Sequence, residues 1–246
     1  MIPNADIQPA KMNGTPDGSV GRVLMTLLLV AALWTLSSEA YYALVDALGL
    51  ESGYDGAPIL FTAYYLGWAA LAAWLFRSCF SNVFDRNRVV QEGLTLLPIL
   101  TGFGLFVVYV LPLLPDVSEV RAPPNPPEFM FASAWYYLPK SADILFQQVL
   151  VAALIFSGIR AGFGLTTVSV GMALAFGLFH LGLAFDGFTP LYVARFTLAA
   201  VLFGAMLPYL YLRVRNGFRW AYSLHWSFYA ADAMLTHLIL AVPPWA

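Results

Sequence analysis

Two glutamines stand side by side in DILFQQVLVAALIF, the otherwise apolar stretch from Asp143 to Phe156. An amide surrounded by hydrocarbon has no solvent to bond, so Gln147 and Gln148 require partners inside the protein. Asp143 lies four residues before Gln147 and shares its helical face. His180 sits within LAFGLFHLGLAF, far in sequence from any polar edge, and His225, Tyr229 and Asp232 recur at i, i+4 and i+7 on one face. Imidazoles and carboxylates converging in a dry interior are the parts from which acid–base sites are made. His180 and His225, with Asp143 or Asp232, are also the donor types of a zinc centre.

Plainer roles exist for the same groups. A hydrogen-bonded polar seam between the fourth, fifth and seventh helices would satisfy the glutamines and both histidines without a metal. No H-E-x-x-H pair is present to fix two ligands on one helical face. On upright helices His180 and His225 would differ by ~16 Å in depth, which counts against a shared ion. A tetrapyrrole is a further reading. AYSLH and AMLTH place alanine four residues before His225 and His237, similar to the A-x-x-x-H pattern of bacteriochlorophyll-binding helices, where a small residue makes room for the macrocycle. Retinal chemistry is excluded, because Lys11 and Lys140 are the only lysines and neither lies in the last helix. No G-x-S-x-G nucleophile motif occurs within the apolar runs. Glu39 is expected to bond across helices, Arg195 to snorkel outward toward Asp186, and His237 to lie near the outer end of the last helix.

These residues belong to a chain that is 60% hydrophobic and only 11% charged. Soluble domains carry about 25% charged residues, so a polytopic, all-α bundle in a lipid bilayer is expected. Apolar runs long enough to span lie at about 22–49, 58–77, 93–114, 140–158, 163–185, 190–212 and 219–240. ESGYDGAP and SNVFDRNRVVQEG separate the first three. The Pro density of residues 115–139 excludes a helix through most of that loop, and Phe129, Phe131, Trp135, Tyr136 and Tyr137 place its end in the interfacial belt.

Basic residues set the orientation. Lys11, Arg22, Arg77, Arg86, Arg88, Arg160, Arg213, Arg215 and Arg219 fall on one side, against Arg121 and Lys140 on the other. The positive-inside rule then puts the N-terminus in the cytoplasm and the C-terminus outside. The polar segment 1–21 reads as a flexible cytoplasmic tail rather than a cleaved signal, since no apolar core follows its first charge directly. The lone Cys79 excludes an internal disulfide, and no basic cluster points to nucleic acid. A plasma membrane or bacterial inner membrane is expected, with other membrane proteins as partners.

The order of motifs from about 143 to 237 resembles the CPBP family, the CAAX proteases and bacteriocin-processing intramembrane endopeptidases. Phe176 and His180, in FGLFHL, match the family's F-x-x-x-H. The segment LFGAMLPYLYLRVRNGFRWAYSLHWSFYAAD is similar to its penultimate helix, basic turn and histidine-bearing last helix, with His225 in the third-motif position. The resemblance implies three N-terminal helices over 22–114, an external loop over 115–139, and a four-helix core over 140–246. It also implies where the chain departs. Gln147 and Gln148 stand where the family has its glutamate pair, Ala152 where its arginine follows, and Tyr229 where an asparagine follows the histidine. A glutamine amide cannot serve as the general base, so the resemblance implies a degenerate protease that acts by binding, as an assembly factor or complex subunit. Alternatives are an active endopeptidase in which Asp143 or Glu39 supplies the acid, and a pigment- or haem-binding subunit.

Overall fold

The computed structural model describes residues 20–80, 86–124 and 126–241. Among them the chain is helical throughout, with no strand beyond a single bridge between Val117 and Ala241. Seven long helices account for the bundle. They are α1 (Val20–Ala47), α2 (Pro58–Leu75), α3 (Arg86–Leu105), α4 (Tyr137–Arg160), α5 (Leu165–Leu181), α6 (Pro190–Arg213) and α7 (Gly217–Ile239). Of the expected tail 1–21 only Val20 and Gly21 are described, and both already belong to α1.

Among the described residues six segments are long and apolar enough to cross a membrane: α1, α2, α3 with its extension, α4, α5 and α6. The third runs on through a π-turn over Phe106–Val110 and a 3-10 turn over Leu111–Leu113. The expected seventh, α7, is as long as the others but more polar, carrying Arg219, His225, Asp232 and His237. Its buried residues include Ala221, Tyr222, His225, Trp226, Asp232, Ala233 and Thr236, so its polar groups lie largely on the face turned to the bundle. Large apolar side chains cover the outside, among them Leu28, Leu94 and Leu202. A surface of that kind is compatible with lipid rather than water.

The helix α4 is the axis of the molecule. Its span is 72% buried, whereas the third span is 11% buried and the others no more than 28%. The other helices wrap it and bond to it at several levels. Thr26 Oγ1 of α1 meets Ser157 Oγ at 3.1 Å, and Trp226 Nε1 of α7 donates to Ser141 Oγ at 2.9 Å. Tyr222 of α7 donates to the Ser141 carbonyl at 3.0 Å, and α3 seals that side by stacking Phe103 on Trp226 with ring centroids 3.9 Å apart. The most extensive helix pair is α5 with α6. It depends on Gly204, where a Cβ would lie 2.7 Å from the Met172 carbonyl oxygen, a backbone atom that cannot rotate away.

The expected 115–139 loop ends earlier, where α4 begins at Tyr137; before that its described residues form no α-helix, as its prolines require, and are built around 3-10 turns. Its aromatics, however, divide. Phe131 and Trp135 are exposed, but Phe129, Tyr136 and Tyr137 are buried in the core. Only Phe131 and Trp135 are thus free to face an interfacial belt, because the loop folds back over the bundle and its other rings close the interior. Loop and first connection are clamped together where the Ser133 amide donates to Asp55 Oδ2 at 2.8 Å. The end of α7 is tied down as well, with His237 Nδ1 at 2.8 Å from the Pro115 carbonyl oxygen.

Candidate functional site

Because α4 is central, its polar residues are turned to the interior, and Lys140, Asp143, Gln147 and Gln148 each have a partner there. Lys140 Nζ lies 2.8 Å from Asp143 Oδ2, and Gln147 Nε2 donates to Asp143 Oδ1 at 2.9 Å. The spacings i, i+3 and i+7 put all three on one stripe. Lys140 also lies over the ring of Tyr229, 4.1 Å from its centroid, and that ring is stacked on His225 at 5.7 Å. The sequence reading assigned Lys140 to the outer loops. It is buried instead, as the cation that matches Asp143.

Gln148 is fully buried on the next face. Its Nε2 lies 3.2 Å from His225 Nδ1, and its Oε1 accepts from the Tyr211 hydroxyl at 2.7 Å. An amide NH2 spent on Nδ1 makes that nitrogen the acceptor and leaves the proton on Nε2. Tyr211 was not foreseen: it comes from α6, 63 residues away, and nothing in its neighbourhood marks it.

His180 and His225 line one cavity of about 340 Å³ between α5, α6 and α7. The depth offset expected for upright helices does not keep both from lining it. His180 Nδ1 is held by the Phe176 carbonyl at 2.9 Å, one turn back on its own helix. Among the described residues no group of three His, Cys, Asp or Glu side chains is placed to hold a metal ion. The zinc set thus lacks its carboxylate: Asp143 is bonded to Lys140 and Gln147, and Asp232 pairs with Arg195 at 2.8 Å. That last pair also corrects the expectation that Arg195 reaches Asp186; the i+7 position on α7 brings Asp232 to it first.

A second, larger cavity of about 660 Å³ adjoins the first, and His180, Phe196 and Tyr229 line both. It extends from α4, with Lys140, Asp143 and Gln147, to α1, with Glu39 and Tyr41. Glu128 descends into it from the Pro-rich loop. Its carboxylate accepts from the Tyr41 hydroxyl at 2.9 Å and from the Tyr54 amide at 2.7 Å. Gly53 permits this approach, since a Cβ there would fall 2.6 Å from the Glu128 carboxylate. Burial pushes the Tyr54 phenol well above its ordinary range, so it remains a neutral wall of the cavity. Glu39 is exposed toward this space rather than bonded across helices. Sequence gave no cue to Glu128, a lone acid in a proline-rich stretch.

Two engaged glutamines, two imidazoles without a third donor, and an ion pair beneath an aromatic cavity can bind, orient and exclude water. Comparison of the chain with family models, with curated proteins and with solved structures gives no match. The fold and site define an all-α, multi-pass membrane bundle with a polar interior cavity.

Proposed function

We propose that the chain is a CPBP-like membrane protein that has lost protease chemistry and acts by binding, as a partner or assembly subunit within a membrane. The orientation that goes with this reading has a cytoplasmic N-terminus, in a plasma membrane or bacterial inner membrane. One observation carries it. At the positions of the family's glutamate pair, Gln147 and Gln148 are both satisfied internally, by Asp143 and by His225 with Tyr211. Neither amide can take a proton from water near neutral pH. Asp143, the acid nearest in sequence, has one oxygen on Lys140 and the other on Gln147.

The test is cleavage of a membrane-embedded peptide by the purified protein. No product is expected from the native chain, nor from Q147E/Q148E, because Ala152 and Tyr229 still depart from the family motif. Cleavage that disappears in Asp143→Asn would replace this reading with an active endopeptidase.

A further inference from the structure

The two adjoining cavities differ in chemistry, and the difference defines an occupant. In the larger one, thirteen of the twenty-four lining residues are aromatic. Lys140 is the only cation among its described lining residues and is matched by Asp143. Neither Glu39 nor Glu128 is ion-paired among the described residues, and Glu128 accepts only from neutral donors. Tyr136, 4% exposed, also lines this space. Aromatic faces with uncompensated carboxylates attract an organic cation and repel an anion.

The smaller cavity is apolar apart from its shared wall and His225, whose Nδ1 is already engaged by Gln148. Ala199, Ala200, Leu202, Phe203 and Met206 of α6 line one side, and Leu224 of α7 stands opposite. Leu202, Met206 and Leu224 are themselves exposed, so this cavity opens between α6 and α7 onto the lipid-facing surface. Both volumes, about 340 and 660 Å³, fall in the roughly 300–1,000 Å³ range of small-molecule sites.

From this juxtaposition we propose that the cavities together hold a membrane amphiphile with an ammonium head group. The head sits among the tyrosines beside Glu39 and Glu128, and the chain lies in the apolar cavity and leaves between α6 and α7. This rests on the reading that the site binds rather than cleaves, and it names what is bound.

Three probes separate head, chain and charge in a neutral maltoside detergent, with thermal unfolding as the readout. Dodecyltrimethylammonium, titrated below its micellar concentration, should raise the unfolding temperature in a saturable way. Dodecanoate, with a chain of similar length but the opposite charge, and tetramethylammonium, with the head but no chain, should each need at least tenfold higher concentration. Glu39→Gln, on an exposed wall position, should keep the probe-free unfolding temperature and weaken dodecyltrimethylammonium severalfold, with Glu39→Asp recovering most of the loss. Leu202→Trp should weaken the same probe by narrowing the chain exit. Equal binding of dodecanoate, or unchanged binding in Glu39→Gln, overturns the proposal. Tetramethylammonium binding as tightly as the amphiphile would also overturn it, in favour of a free ammonium ligand. Peptide cleavage by the same preparation would overturn the loss of protease chemistry and leave the binding result to be judged separately.

Discussion

At Gln148 two helices depend on one side chain. Gln148→Leu removes the shorter bond of the Tyr211 hydroxyl of α6, leaving it the residue-148 carbonyl at 3.2 Å, and strands Nδ1 of His225 on α7, whereas Gln147→Leu removes a single bond on α4 itself. Interhelical polar contacts in membranes contribute roughly 0.6–2 kcal/mol, so Gln148→Leu should cost an amount at the upper end of that range and Gln147→Leu less. Unfolding titrations in mixed detergent micelles measure the difference. Equal losses would mean that the inter-helix bonds contribute nothing. Lys140 and Asp143 behave as a unit. Asp143→Leu leaves a buried ammonium with only the Tyr229 ring, a loss of about 3–5 kcal/mol for a broken buried pair, while K140M/D143L should lose clearly less. A double-mutant cycle with no coupling would contradict this pairing.

Among the helices, the close approach of α5 and α6 at Gly204 is the most constrained contact. Gly204→Val would force the Met172 backbone away and should destabilise the bundle by about 1–3 kcal/mol, the cost of overpacking. Gly102, with open space around it, should accept alanine without comparable loss. Helix positions were legible from the sequence within a few residues, because apolar run length and turn residues fix them. Their arrangement was not. The spans of α1 and α4 have the same mean hydropathy, 1.8, yet are 22% and 72% buried. Lipid and protein interior are equally apolar, so composition does not distinguish an axis from a flank. The Gln147–Asp143 bond was readable because its partners share one helix, four residues apart. Tyr211 and Glu128 were not, because only tertiary packing brings them in. Lys140 was misread because charge near a helix end counts as topology until the cavity beside it is seen.

For the molecule as a whole, orientation is the open structural quantity, and Cys79 gives access to it. It is the only cysteine and lies in the connection between α2 and α3. A membrane-impermeant maleimide should reach it from the cytoplasmic face of oriented vesicles, and a reporter fused after Ala246 should score as external. Labelling of intact cells from outside would invert the topology. Burial pushes the Cys79 thiol up, so less of it is thiolate near neutral pH than for a free cysteine. The labelling rate should therefore climb as pH is raised toward the thiol's range, and a rate independent of pH would contradict that protonation state.

The stripe on α4 bears on how the chain is made. A helix that enters the bilayer with a lysine, an aspartate and a glutamine meets a barrier to insertion, and its eventual neighbours α5 to α7 have not yet been synthesised. Here the three groups close on one another along a single helix, Lys140 with Asp143 and Asp143 with Gln147. The segment can thus leave the translocation machinery with its charge already cancelled. Gln148 alone waits for Tyr211 and His225, and the last helix to emerge completes its bonds.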